Sequence, residues 1–206
     1  MRLTLFLIIL FFSNMFSAFN VTAFHQKLIP DHSKVQFAGN QGFLSGGFGY
    51  SFHILRIERE IAIMYGYLPE EFSGSDIHIF SLKNTTLFNV YELPKYLKLK
   101  CSLNLSIIYT LANNTFTILP DYYPEGYYVS NSFHFQPSIG LTANFISKHN
   151  TVLKNISIYT ELGILEQNLY HIIKTGRVNI FDRLNMSLGI RYSIKERLSN
   201  KNLKDT

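Results

Sequence analysis

The 206-residue sequence predicts an all-β chain: an up-and-down antiparallel transmembrane barrel of eight strands, preceded by a cleaved signal peptide. Three observations predict it. A short apolar N-terminal segment carries an export pattern, period-two alternation is sustained over long strands, and the polar face of those strands is built from small side chains. Composition agrees, since 47% hydrophobic, 15% aromatic and only 16% charged residues are too apolar for a disordered chain and suit one folded domain.

Other classes are disfavoured by what the chain lacks. The formal charge of +5 comes from scattered Lys and Arg with no basic stripe, so no nucleic-acid partner is expected. A single cysteine, Cys101, leaves no disulfide framework and no Cys-based zinc site. The seven histidines include no His-x-x-x-His pair, and no phosphate-binding glycine loop is present, so no metal or cofactor is expected.

Residues 1–23 open with Arg2, run through an apolar stretch from Leu3 to Phe12 and reach Val21-Thr22-Ala23, the layout of a secretory signal peptide. The apolar core is about ten residues, short of the roughly 20 that a membrane-spanning helix needs. Its removal leaves 183 residues from Phe24 onward, with 24–33 expected as an N-terminal periplasmic segment.

The strands follow in order. Leu99, Cys101, Leu103, Leu105, Ile107, Tyr109 and Leu111 share one face, while Lys98, Lys100, Ser102, Asn104, Ser106 and Thr110 share the other. Residues 133–146 alternate in the same way, as do Leu184 to Ile194, and further strands read at 43–53, 57–68, 76–91 and 155–168. In 43–53 the polar face is Ser45, Gly47, Gly49 and Ser51, opposite Leu44, Phe48, Tyr50 and Phe52. Alternation also fits a soluble exported lipid-binding barrel with its apolar face inside. The small polar side chains favour the opposite sense, a crowded polar interior within an apolar wall, and in hydrocarbon such a sheet has to close.

Single-chain bacterial barrels have even strand numbers, long outer loops and short periplasmic turns. The longest connection, roughly 113–129, is therefore placed outside. Strand 97–112 then runs outward, 130–147 inward and 155–169 outward, with Lys148 to Lys154 a periplasmic turn, 170–182 an external loop and 183–194 inward. Working back, 43–53 runs inward and needs an outward partner; Lys34 to Gly39, turned by Asn40-Gln41-Gly42, supplies the eighth strand. The barrel spans 34–194, and the charged segment 195–206 is expected to be a disordered tail.

The last strand resembles the outer-membrane β-barrel family in a further respect. Ser187-Leu188-Gly189-Ile190-Arg191-Tyr192-Ser193-Ile194 fits the closing-strand pattern of a polar residue, Gly two later, then hydrophobics three and five beyond, here Ser187, Gly189, Tyr192 and Ile194. The resemblance implies recognition by the barrel-assembly machinery, a bacterial outer-membrane location and contact with outer-membrane lipid including lipopolysaccharide. It covers roughly 34–194 at the level of architecture, with two departures: a polar tail follows Ile194, and no Trp is available for the aromatic girdles.

Charges on strands should face inward, because Arg or Lys on the lipid face costs about 2–4 kcal/mol at the midplane. Glu60, Lys83, Glu161 and Arg191 are accordingly expected to form an interior ion-pair network that fills the barrel. Strand 76–91 has a mixed register, with Ile77 and Ile79 on the parity of Ser81 and Lys83, which suggests a bulge.

Two other features bear on function. Lipid A 3-O-deacylases are eight-stranded barrels whose motif places His and then Ser two residues on; Ser132-Phe133-His134 resembles it in reverse order, with Asp121 and Glu125 as candidate acids. Tyr122, Tyr123, Tyr127 and Tyr128 lie in the long outer loop, as an interfacial belt or a recognition surface. The expectation is a structural or surface-interaction barrel without an open pore, with a lipid A hydrolase as the alternative.

Overall fold

A computed structural model describes residues 29–54, 57–93, 97–113, 115, 131–146, 151–175 and 179–194. The signal segment, Asp121, Glu125, the four loop tyrosines and the tail lie outside these described residues. Eight strands form one closed antiparallel barrel in sequence order: β1 (His32–Ala38), β2 (Leu44–Ile54), β3 (Ile57–Leu68), β4 (Ile77–Leu93), β5 (Leu97–Leu111), β6 (Phe133–Phe145), β7 (Ile156–Gly163) and β8 (Asn185–Ser193). β1 closes the sheet by pairing β2 on one side, His32 opposite Gly49, and β8 on the other, His32 opposite Ser193.

The connections β1–β2, β3–β4, β5–β6 and β7–β8 share one end of the barrel, here the loop rim, and the other three share the turn rim. On the loop rim a single helical turn α1 (Glu70–Ser73) joins β3 to β4, where Asp76 accepts bonds from the Tyr67 hydroxyl (2.5 Å) and the Glu70 amide (3.2 Å). Those two donors hold the Asp76 carboxyl below its usual range. α2 (Thr151–Asn155) precedes β7 on the turn rim.

The pleat sorts the side chains as alternation requires. Ile63 stands outward at 69% exposure, with Phe48, Leu103, Ile139, Leu141 and Leu188 also exposed, whereas Lys83 and Glu60 point inward at 0% and 1%. Arg59 is an outward-parity charge, placed near the turn rim, where the cost of a lipid-facing cation falls to about 0–1 kcal/mol.

Several expectations need correction. The seventh strand does not run from 155 to 169: it ends at Gly163, and Glu166–Thr175 is a helix, α3. Beyond Gly163 the alternation breaks at Ile164-Leu165, and Leu165, Leu169, Ile172 and Ile173 repeat at helical spacing, with Glu166 in the first turn where a carboxylate suits the helix dipole. The first strand begins at His32, so 32–33 belong to the sheet and not to a preceding segment. The register of β4 is continuous from Ile77 through Asn89, and its irregularity falls at Val90, between the Asn89 and Tyr91 pairings with β5.

The parity of Ile79 with Lys83 therefore does not mark a bulge, and the interior is not polar throughout. Ala62, Met64, Ile79 and Ile108 all face inward and form an apolar layer in the loop-rim half. Gln41, from the β1–β2 turn, donates to the Ser106 hydroxyl (3.3 Å), one inward position to the turn-rim side of Ile108. The charged groups extend from Lys83, directly opposite Ala62, toward the turn rim.

Candidate functional site: the ionic lumen and the loop rim

Glu60, at the fourth position of β3, is the hub of the turn-rim half. Its Oε2 lies 2.7 Å from Lys34 Nζ and its Oε1 2.8 Å from Arg191 Nε, with His32 Nε2 at 3.8 Å. Register dictates the meeting, since Lys34 and Arg191 are direct cross-strand partners on β1 and β8. Arg191 is further fixed by donating to Ser193 Oγ (2.8 Å) and Ser51 Oγ (3.1 Å). Gly49 makes room for the His32 ring, because a Cβ there would stand 2.5 Å from His32 Nε2.

A second cluster sits deeper. Lys83 Nζ contacts Glu161 Oε2 at 2.5 Å and donates to Gln36 Oε1 (3.1 Å), which also accepts from the Tyr159 hydroxyl (3.3 Å). Two ammonium groups lie over the Tyr159 ring, Lys34 at 5.6 Å and Lys83 at 5.5 Å from its centroid. A third pair, Lys100 with Glu58, completes the lumen toward the turn rim. The four residues singled out in the sequence thus fall into two pairs, Glu60 with Arg191 and Lys83 with Glu161, bridged by Lys34, Gln36 and Tyr159.

The sequence reasoning missed His32, Lys34, Glu58, Lys100 and Tyr159 as members. Lys34 and Lys100 carried the signal, each on the polar parity of its strand; His32 was assigned to the segment before the barrel. Between these clusters the cavity volume is about 10 Å³, the room of about one water, so the lumen is filled.

On the loop rim, Ser132 and His134 are at the entrance of β6. Ser132 is 2% exposed, and its carbonyl accepts from the Thr110 amide (2.7 Å). His134 Nδ1 is 3.3 Å from Glu166 Oε1, and Nε2 is 2.9 Å from the Asn131 carbonyl oxygen. The contacts shown for both ring nitrogens are to these acceptors and not to Ser132. Glu166, on a segment read from sequence as strand, is the carboxylate that His134 meets.

Glu166 has a second task. β7 stops opposite Ser138, leaving β6 unpaired on that side from Phe133 to Pro137 except for the bond from the Ile164 amide to the Pro137 carbonyl (3.1 Å). Pro137 has no amide to strand there, and the Phe135 amide, two residues back on the strand, is taken by Glu166 Oε2 (2.8 Å). The acid–imidazole contact thus anchors α3 over an open strand edge. Ser132→Ala is expected to leave the lipid A of producing cells identical to that with the wild-type protein, by mass spectrometry of extracted lipid A; loss of a deacylated species in the variant alone would restore the hydrolase reading.

In β8, Ser187 and Gly189 face the lumen and Tyr192 faces outward and is exposed, as is Ile194 just beyond the strand. Gly189 stands directly opposite Tyr159 of β7, whose ring lies against the position a Cβ would occupy.

These features define a closed eight-stranded antiparallel barrel with an apolar wall and an ionic interior. In fold the chain is similar to Neisserial surface protein A, a solved structure with 11% sequence identity and a TM-score of 0.40, the match covering 79% of this chain and 93% of that one. No protein-family model and no curated protein matches the sequence.

Proposed function

We propose that the chain is an integral outer-membrane barrel with a structural or surface-interaction role and no open pore. The observation that carries this reading is the inverted polarity of the wall, with Ile63 and its neighbours exposed outward and a set of ion pairs sealed inside. In water that arrangement would expose a continuous apolar band and bury its charges, whereas a bilayer reverses both costs. Closure of the sheet satisfies the backbone within hydrocarbon. The placement of the long connections on one rim supports an orientation with that rim at the cell exterior.

Aromatic side chains at the loop rim fit an interfacial girdle: Phe43 packs edge-on to Phe37 (4.9 Å) and stacks on Phe72 (5.1 Å), and Tyr65 lies beside Phe80 (5.3 Å). Tyr and Phe fill the place of the absent Trp. The partners this reading implies are outer-membrane lipid including lipopolysaccharide, and the barrel-assembly machinery engaging Ser187, Gly189, Tyr192 and Ile194 during biogenesis.

The test is electrophoretic mobility of the mature protein folded in detergent, with and without boiling before SDS gels. A heat-dependent shift with β-type circular dichroism is expected; a protein that folds and stays soluble without detergent overturns the proposal. A substitution sharpens it. Ile63→Lys is expected to destabilise the barrel in lipid vesicles by about 2–4 kcal/mol, measured from urea unfolding, while in a soluble barrel the same exposed position would tolerate lysine.

A further inference from the structure

We propose that the outer wall of the barrel holds one glycerophospholipid, with its phosphate on Arg59, its ester oxygens on Thr86 and Asn84, and one acyl chain in the groove that runs from there to Ile164. The proposal rests on the membrane reading above and adds a site to it. The groove, about 590 Å³, crosses the wall from β3 to β7. Register fixes its course: Arg59 stands opposite Thr86, Asn84 opposite Leu105, and Leu105 opposite Pro137, whose carbonyl accepts from the Ile164 amide. Four inter-strand spacings of about 4.8 Å make roughly 19 Å, enough for a chain to cross the hydrocarbon of one leaflet, half of about 30 Å. The polar end, at Arg59, is on the turn-rim side, and the apolar end, at Ile164, follows the loop-rim end of β7. Headgroup, esters and chain of a phospholipid come in the same order.

Two observations separate this stretch from ordinary lipid-facing wall. Asn84 has the outward parity of β4, between the inward Lys83 and Thr85, yet is only 5% exposed. It lines the groove, and neither its carboxamide nor the Thr86 hydroxyl makes a hydrogen bond among the described residues. A buried amide facing hydrocarbon without a hydrogen bond is costly, and no bulk water is at hand to serve it. The second observation is the cation beside it. Arg59 lines the same groove and has a further contact within the chain; five N–H groups let a guanidinium serve a phosphate as well. Guanidinium, hydroxyl and carboxamide all donate, which suits phosphate and ester oxygens. A second copy of the chain fits less well, because a two-fold contact sets groove against groove and cation near cation. Lipid A also fits less well, because in the orientation proposed above Arg59 lies toward the periplasmic leaflet.

The test is native mass spectrometry of the protein folded in detergent, titrated with phosphatidylglycerol and separately with lipid A. Heat-dependent mobility on SDS gels is measured on the same samples. Absence of the mobility shift overturns the membrane reading and this site with it, whereas a shifting barrel that retains no lipid overturns the site alone. One phosphatidylglycerol per barrel, retained under collisional activation that strips the rest, is expected. Arg59→Gln is expected to weaken its binding at least about tenfold, through loss of a charge-assisted bond. Asn84→Leu is expected to weaken it about threefold or more while unfolding at no lower urea concentration than wild type, since an apolar side chain of similar shape in place of an unpaired buried amide is neutral or stabilising. Ile190→Ala, on the exposed wall of β8 outside the groove, is expected to leave retention unchanged. Equal retention in wild type and Asn84→Leu, preferential retention of lipid A, or a lipid-free dimer abolished by Asn84→Leu each overturns the proposal.

Discussion

Glu60→Ala is expected to destabilise the barrel by about 3–5 kcal/mol, the range for removing one partner of a buried charge network. The magnitude follows from what is left behind. Lys34 and Arg191 both lie within 3 Å of the Glu60 carboxylate and are themselves buried, so the variant strands two cations with no counter-charge in contact. Arg191 keeps its serine hydroxyls, but these are neutral acceptors and do not offset the charge. The readout is the fraction of heat-resistant folded species across a urea series, in detergent or vesicles. Glu60→Gln, which keeps an acceptor and loses the charge, should fall between wild type and Glu60→Ala.

A triple replacement, Glu60→Leu with Lys34→Met and Arg191→Met, separates the energetics from the geometry. Buried ionic groups replaced together by apolar side chains of similar volume often cost nothing or stabilise. The triple variant should therefore recover most of the stability lost in Glu60→Ala. If Glu60→Ala unfolds at the wild-type urea concentration, the carboxylate is not the hub of the lumen.

The fold was legible because a barrel in which wall and lumen differ in polarity writes its architecture into period two. Lys98 to Leu111 could be assigned residue by residue, and the structure gives β5 nearly those bounds. Legibility ended where a side chain obeyed shape in place of polarity. Ile108 and Ile79 occupy the polar parity because the loop-rim half of the lumen is packed with hydrocarbon, so polarity alone made β4 look irregular. It failed again at Gly163, where a strand gives way to α3 with no proline or glycine-rich turn to announce it. Only the change from alternation to the spacing of Leu165, Leu169 and Ile172 carries that message.

The lumen shows the same division. Parity tells that Glu60, Lys83, Glu161 and Arg191 point inward, but not which of them meet. Pairing depends on register between strands far apart in sequence, such as β1 with β8, and on reach across the lumen, as when Lys83 of β4 meets Glu161 of β7. Lys34 could be read as inward from its neighbours Val35 and Phe37, yet its role emerges only when β1 closes the sheet. Glu166 had no readable role at all, since the need it meets, an unpaired β6 edge, arises from the early end of β7.

Gly189→Ala is expected to reduce the folded population by the cost of overpacking, at least about 1–3 kcal/mol, and the reason separates two accounts of this glycine. The closing-strand pattern makes Gly189 part of an assembly signal; the structure makes it the floor under Tyr159. The added methyl would enter the space of the Tyr159 ring, which is held by the bond from its hydroxyl to Gln36 and by the Lys34 and Lys83 ammonium groups over it. Replacing Tyr159 by Leu clears that space. In the Tyr159→Leu background Gly189→Ala should cost little, so the double-mutant cycle returns a coupling of about 0.5–3 kcal/mol, the range for residues in contact. Refolding of purified protein into vesicles measures that coupling without assembly factors, and the yield of folded protein in cells measures it with them. Packing predicts rescue in both settings. A loss in cells that is equal in both backgrounds, with normal refolding in vitro, would mean that Gly189 is read by the assembly machinery and that its contact with Tyr159 is incidental.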